Sequence, residues 1–258
     1  MLDKDSDRFI IFRTPYTEFR ILYMELIVWS TILKTSFVPV REHLGQQVYQ
    51  HLLEKIYKME IVPGARLGVG EIADLLGVSR SPVRDAFRML LNEGMVELLP
   101  SGRYRVIQFN RKYVDDVFVL RRTLELTAVR LSVQHLDRER IQALHTSWEQ
   151  FKVADEADPH LVEDHLSADQ DLHQSIAVMS QNLLLKDALD KIIPLAGLIR
   201  RWQYSGGIPY RMLVLTAEEH LTVLDAMLAR DAEGAVWALD EHLTRAYARI
   251  LERLDSDT

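Results

Sequence analysis

The chain contains no cysteine in 258 residues. That excludes disulfides, thiolate metal sites and cysteine nucleophiles, and it suits a reducing cytosol. It also has no internal repeat and no low-complexity tract. No segment has the pattern of a signal peptide or a membrane span. Residues 21–37 are apolar-rich, but Glu25 and Lys34 interrupt them, and the start Met1-Leu2-Asp3-Lys4-Asp5 is acidic where a signal peptide is basic. Excess positive charge is missing too, since the formal net charge is −7. The acidity is uneven: residues 40–110 hold 9 basic against 8 acidic side chains, whereas residues 111–258 hold 17 against 25. A nucleic-acid contact in the first of these stretches has to come from positive charge focused locally rather than from bulk charge.

With 48 % apolar and 27 % charged residues, the composition is that of an ordinary globular protein long enough for two domains. The run Gly77-Val78-Ser79-Arg80-Ser81-Pro82-Val83-Arg84-Asp85-Ala86-Phe87 reads as the turn and second helix of a helix-turn-helix. Val83, Phe87, Leu90 and Leu91 follow helical spacing along one face, while Arg80, Arg84 and Arg88 recur every fourth residue on another. Ser79 or Ser81 suits the cap, Pro82 is tolerated in the first turn, and Gly94 is a natural stop.

The surrounding sequence extends this unit. Leu44, Val48, Leu52 and Ile56 predict a helix from Val40 to about Tyr57, and Pro63-Gly64 breaks the chain into a loop. Ile72, Leu75 and Leu76 mark a short helix ending at Gly77. Residues 95–99 and 103–109 are β-prone runs joined by Pro100-Ser101-Gly102, which predicts a hairpin. Residues 40–110 therefore read as a winged helix-turn-helix. Beyond Asn110, six helices are expected at about 112–134, 138–155, 161–180, 183–204, 211–229 and 232–254. Such a run suits an antiparallel bundle over residues 111–258, an architecture that builds metal and ligand sites between facing helices. Residues 1–39 form an N-terminal extension: either an added helix that packs on the rest, or the result of a translation start placed too far upstream, with Met24 as an alternative.

Two stretches of motif resemble the GntR superfamily of bacterial transcription regulators, in the branch whose effector domain is the helical FCD domain. The first comprises Pro63-Gly64-Ala65-Arg66-Leu67, Leu76 to Ala86, and Leu90-Leu91-Asn92-Glu93-Gly94-Met95-Val96. The second comprises Leu120 to Glu125, Asp169-Gln170-Asp171-Leu172-His173, Asn182, and His220 with His242. Six effector helices match the smaller, VanR-type variant. The chain departs from the family pattern in three places. Its wing tip reads Gly102-Arg103 where Arg-Gly is usual, Gly70 stands where relatives often carry a polar or charged residue, and the N-terminal extension has no counterpart.

The resemblance implies DNA contacts from Arg80, Ser81 and Arg84 on the recognition helix and from Arg66 and Arg103 on either side. Arg88, deeper along the helix, reads as a solubilising residue. Asp169 and His173, four apart, project from one helical face as a chelating pair must. The resemblance adds His220 and His242 from the last two helices. One carboxylate with three imidazoles suits zinc first, with nickel, manganese or iron as alternatives. His165 shares the stripe of Asp169 and His173 and is a rival, second-layer or exposed residue. A metal with open positions beside an arginine suits a small carboxylate effector. Arg121 is the expected arginine, although an ion pair with Glu125 explains it equally well. Asn182 reads as a helix cap, and Trp202, Tyr204 and Trp237 as core or rim.

These readings converge on a cytoplasmic homodimeric regulator that binds a palindromic operator and senses a small organic acid through a metal-containing helical domain. Two other classes stay open: a metal-dependent hydrolase-like enzyme, and a DNA-binding protein whose metal only braces the bundle.

Overall fold

A computed structural model describes residues 43–158 and 160–256. The extension expected over residues 1–39 and the first residues of the helix expected from Val40 lie outside them. Nine helices and three short strands occur among the described residues. The first part consists of α1 (Leu44–Tyr57), β1 (Arg66–Leu67), α2 (Val69–Leu76), α3 (Arg80–Asn92), β2 (Val96–Leu98) and β3 (Tyr104–Val106). The second consists of α4 (Arg111–Ser132), α5 (Arg138–Phe151), α6 (Leu161–Met179), α7 (Leu183–Gln203), α8 (Tyr210–Leu228) and α9 (Ala232–Ser256).

In α1, Val48, Leu52 and Ile56 are buried one turn apart and face α3. The stripe of α3 that answers them is Val83, Ala86, Phe87 and Leu90. Leu91, expected on this stripe, is 40 % exposed, because it lies about 100° round the helix from Leu90. Burying each of these large apolar side chains stabilises the fold by about 1.5–3 kcal/mol. The rings of Phe87 and Tyr104 stack at 4.2 Å, which fixes the recognition helix against the wing.

The wing holds one strand more than the expected hairpin. β3 pairs antiparallel with β2, Val96 opposite Val106, and also with β1, Arg66 opposite Arg105 and Leu67 opposite Tyr104. The end of the loop after Pro63-Gly64 is thus drawn into the sheet, and Leu67 is buried. A two-residue strand has too little periodicity to be visible in sequence.

The six helices of the second part lie within two or three residues of their expected bounds, except that α5 ends at Phe151 rather than near 155. Asn110, Asp137 and Asn182 cap α4, α5 and α7, each accepting a hydrogen bond from the backbone N–H three residues on. α9 packs on α8 and α4, α5 on α8, and α7 on α4 and α6. One hydrophobic core lies between α4, α5, α6, α7, α8 and α9, with Trp148 fully buried in it. The other runs continuously from the winged domain into the bundle, joining Phe87 and Leu90 to Val117 and Phe118 of α4, Leu198 and Ile199 of α7, and Ile250 of α9.

Candidate metal centre and nucleic-acid interface

The recognition helix α3 starts at Ser79, which takes the extended cap conformation but makes no side-chain capping bond. Arg80, Ser81 and Arg84 are exposed on its first turns. The guanidinium of Arg80 lies over Gly70, where an added Cβ would sit 3.6 Å from Nη2. A Cβ at that position makes ordinary van der Waals contact with this arginine. Arg88 donates to Asp85 at 3.0 Å, as expected of a residue on a solvated face.

On the wing, Gly102 takes φ +78°, a backbone region in which glycine carries no Cβ penalty. This gives a reason for the Gly-Arg order: glycine makes the turn, and Arg103 falls at the start of the returning strand. Arg103 then donates through Nη1 and Nη2 to the two carboxylate oxygens of Glu71, each at 2.7 Å. Arg66 is exposed on β1. Arg105, which the sequence reading left out, pairs with Glu97.

The four expected metal-ligating residues meet inside the bundle. Asp169 and His173 come from one face of α6, His220 from α8 and His242 from α9, all buried, and one ligand atom from each lies within 4.8 Å of the others. His173 Nδ1 lies 2.5 Å from Glu125 Oε2, and His242 Nδ1 lies 2.9 Å from Glu219 Oε2. Carboxylates in those positions fix the ring orientation and leave each Nε2 to face the centre. The Nε2 atoms of His173, His220 and His242 are buried without a hydrogen-bond partner. His220 Nε2 approaches Asp169 Oδ1 to 3.2 Å, but not in hydrogen-bonding geometry. Unpaired buried nitrogens cost free energy, and a metal ion that accepts their lone pairs removes that cost.

Electrostatics favours the ligating forms. Burial pushes the His220 imidazole down to about 4 and holds His242 well below its usual value, so both are neutral at pH 7. Burial works against ionisation of Asp169, but the Arg200 charge and the adjacent His173 and His220 rings together outweigh it and hold the carboxyl well below the ordinary range. Burial likewise raises Glu125, yet Arg121 and His173 bring it down to about 2. Burial opposes protonation of His173, but the charge and hydrogen bond of Glu125 and the nearby Asp169 carboxylate together outweigh it and move this histidine upward.

Other expectations resolve differently. Arg121 is buried and donates from Nε to Glu125 Oε1 at 2.5 Å, the ion pair that competed with its effector role. Arg122 is exposed and paired with Asp240. His165 is buried rather than exposed. It stands outside the cluster, 3.3 Å from the Leu213 carbonyl and edge-on to Trp148 and Phe151. Asn182 caps α7 as expected. Trp237, expected in core or rim, is 62 % exposed.

Three charged residues of the site escaped the sequence reading. Glu219 orients His242 and is itself held by Arg249 through two bonds of 2.9 and 3.0 Å. Arg200, 4 % exposed, donates to Asp169. A signal for Arg200 existed: Leu189, Ile193, Ala196 and Arg200 recur at i, i+4, i+7 and i+11, so the arginine sits on the buried stripe of α7. Its neighbours reach the other way. Arg201 lies 5.2 Å over the Tyr57 ring of α1 and pairs with Glu163, while Trp202 meets Phe109 edge-on at 5.6 Å.

Two family models match the chain. The model "Bacterial regulatory proteins, gntR family" matches residues 44–106, and the model "FCD domain" matches residues 116–245. Among curated relatives, the chain is similar to the HTH-type transcriptional repressor RspR of Escherichia coli, at 24 % identity over 82 % of this chain and 90 % of that protein. It is 26 % identical to the uncharacterized HTH-type transcriptional regulator YdhC of Bacillus subtilis, over 73 % of this chain and 83 % of that one. The solved structure of E. coli McbR/YncC shares the fold, with a TM-score of 0.67 and 24 % identity, covering 81 % of this chain and 97 % of that one. With a winged helix-turn-helix over one matched segment and a six-helix bundle over the other, the chain belongs to the GntR family of bacterial regulators, in the branch that carries an FCD domain, and is a DNA-binding transcriptional regulator.

Proposed function

We propose that this regulator is a homodimer that binds a two-fold-symmetric operator through Arg66, Arg80, Ser81, Arg84 and Arg103, and that a divalent metal and a small carboxylate in its helical domain set its affinity for DNA. The observation that carries this reading is the cluster of Asp169, His173, His220 and His242, with three imidazole Nε2 atoms buried and unpartnered. Donors of that kind fit zinc first, with nickel, manganese or iron as alternatives. When bound, such a metal supplies Lewis acidity and open coordination positions for an anionic oxygen. Glu125 and Glu219 hold the His173 and His242 rings in register, Asp169 brings the one charged ligand, and the surrounding apolar core excludes water. The sense of regulation proposed is repression, which is how the relative RspR is named. A cytoplasmic location is part of this proposal, because a DNA-binding role requires access to the genome. No helix among the described residues is long and apolar enough to cross a membrane.

The relatives are named as transcriptional regulators, which favours regulation over hydrolysis for the metal cluster. The test is elemental analysis of the purified parent and of His220→Ala, together with operator binding by both. The variant is expected to lose most of the metal and the response to carboxylates while still binding DNA. Equal metal in both proteins, or none in the parent after repletion, would remove the four residues as the site.

A further inference from the structure

The three imidazoles of the cluster are not held alike. His173 and His242 each commit Nδ1 to a buried carboxylate, Glu125 and Glu219. His220 has no such partner, and both of its ring nitrogens are buried without a hydrogen bond. The hydroxyl one turn before it, on Thr216, donates to the Met212 carbonyl instead. What His220 meets is other rings: the indole of Trp148 from α5 at 4.1 Å and 45°, and the His242 imidazole at 4.2 Å and 47°. Trp148 is fully buried and packed against Phe151 at 5.2 Å and His165 at 5.0 Å, so close packing holds this aromatic wall in place.

We propose that Trp148 is the positioning residue of His220, and that His220 is the exchangeable ligand of the centre, the one whose bond to the metal forms last and breaks first. This rests on the metal reading given above. A carboxylate at Nδ1 keeps a proton there, aims the Nε2 lone pair at the centre and makes it a stronger donor. A ring with no such partner carries its proton on either nitrogen, and when Nε2 binds a metal it leaves an Nδ1–H in the core with no acceptor, at the cost of that group's desolvation. His220 is therefore the weakest of the three imidazole donors. Stacking supplies what the hydrogen bond does not. It confines the ring to a place beside the centre without choosing between its nitrogens, so a released His220 stays poised to bind again. The affinity of the centre then depends on an indole that touches no metal, and the ion exchanges faster than it would from three carboxylate-backed imidazoles.

Zinc alone is the probe, with the full-length parent, Trp148→Phe and Trp148→Leu, each first checked for a native circular-dichroism spectrum and melting transition. In Trp148→Leu, a chelator is expected to remove zinc about tenfold faster than from the parent, and zinc is expected to bind about tenfold more weakly. Trp148→Phe keeps an aromatic face and is expected to keep most of the parent's affinity, a rescue that lost packing volume alone does not predict, since both substitutions shrink the side chain. Nitrogen-15 NMR of the histidine-labelled, metal-free parent reads the rings without any substitution of Trp148. His242 is expected as a single Nδ1–H tautomer, and His220, assigned by its loss in His220→Ala, as a mixture that zinc converts to one form. Zinc release from a folded Trp148→Leu at the parent's rate overturns the positioning role, as does an equal defect in both variants. A single tautomer for His220 in the metal-free parent overturns its exchangeable character. If His220→Ala retains zinc, the metal reading fails and this inference falls with it; if His220→Ala loses zinc while Trp148→Leu behaves like the parent, only the inference fails.

Discussion

Individual side chains make the sharpest tests. Arg84 is exposed one turn into α3. A bidentate contact to a base edge contributes about 1–3 kcal/mol, so Arg84→Ala is expected to weaken specific operator binding by that amount. Fluorescence anisotropy on a selected operator checks it; a folded variant that binds like the parent across salt concentrations contradicts it. The buried histidines predict how stability varies with pH. Burial lowers His165 to about 3 and His220 to about 4 and holds His242 well below 6.5. Their folded values lie under the unfolded one, so their contribution is complete above pH 6.5 and is lost as pH falls through the folded values. Each such group gives a slope of about 1.4 kcal/mol per pH unit inside that window. His173 has the opposite sign, since its folded value is raised; its contribution is complete below 6.5 and fades as pH rises through the folded value. Urea unfolding of the metal-free protein at pH 7, 6 and 5 is therefore expected to show falling stability, with a shallower fall in His220→Gln. A flat profile in the parent contradicts this. At this scale the sequence displayed the clustered residues better than their supports. Asp169 and His173 announce themselves by spacing on one helix, whereas Glu219 and Arg200 act across helices, and no local pattern records which distant side chain they face.

Helices end in this protein by a recurrent device, and the places where the usual residue is missing can be improved. α3 ends with Gly94 at φ +70°, Gly94 N–H bonding to the Leu91 carbonyl and Met95 N–H to the Leu90 carbonyl. α8 ends in the same pattern, with Arg230 N–H to Met227 and Asp231 N–H to Ala226, but a non-glycine residue holds φ +57°. The left-handed region costs an L-residue about 1–2 kcal/mol, so Arg230→Gly is expected to raise stability, by about 1 kcal/mol after the entropy that glycine adds to the unfolded chain. Conversely, Asn182→Ala removes the cap of α7 and is expected to cost about 1 kcal/mol. Thermal unfolding of both variants measures these effects; a destabilised Arg230→Gly or an unchanged Asn182→Ala contradicts them. Helices were legible because their punctuation is local: Asn110, Asp137, Asn182 and Gly94 all stand at the expected boundaries. The strand Arg66–Leu67 was not, since it exists only through pairing with a segment 37 residues away.

At the scale of the whole molecule, the winged domain carries one excess positive charge over residues 40–110, too little for tight binding by a single copy. Two copies supply two sets of phosphate contacts. The proposed dimer is thus expected to set its α3 helices about 34 Å apart, or a multiple of it, reading half-sites in successive major grooves. Sedimentation and footprinting check this; a monomer at micromolar concentration protecting one half-site contradicts it. Two-part organisation was legible from the charge shift and the motif order. The join was not, because Phe109, Leu198, Ile199 and Ile250 meet the winged domain only once the chain is folded.

In the proposed dimer, the join also limits the spacing between operator half-sites. β3 ends at Val106 and α4 starts at Arg111, and Phe109 within that short connection is itself buried against Trp202. One base pair inserted between half-sites turns one of them by about 34° and moves it by about 3.4 Å. A reader on a slack tether absorbs such a change; one whose core is continuous with its bundle absorbs it only by breaking apolar packing. Promoters that answer to this regulator are therefore expected to hold the gap between half-sites constant while individual bases within them vary, and a genome search built on fixed spacing should find them more efficiently than one built on half-site sequence alone.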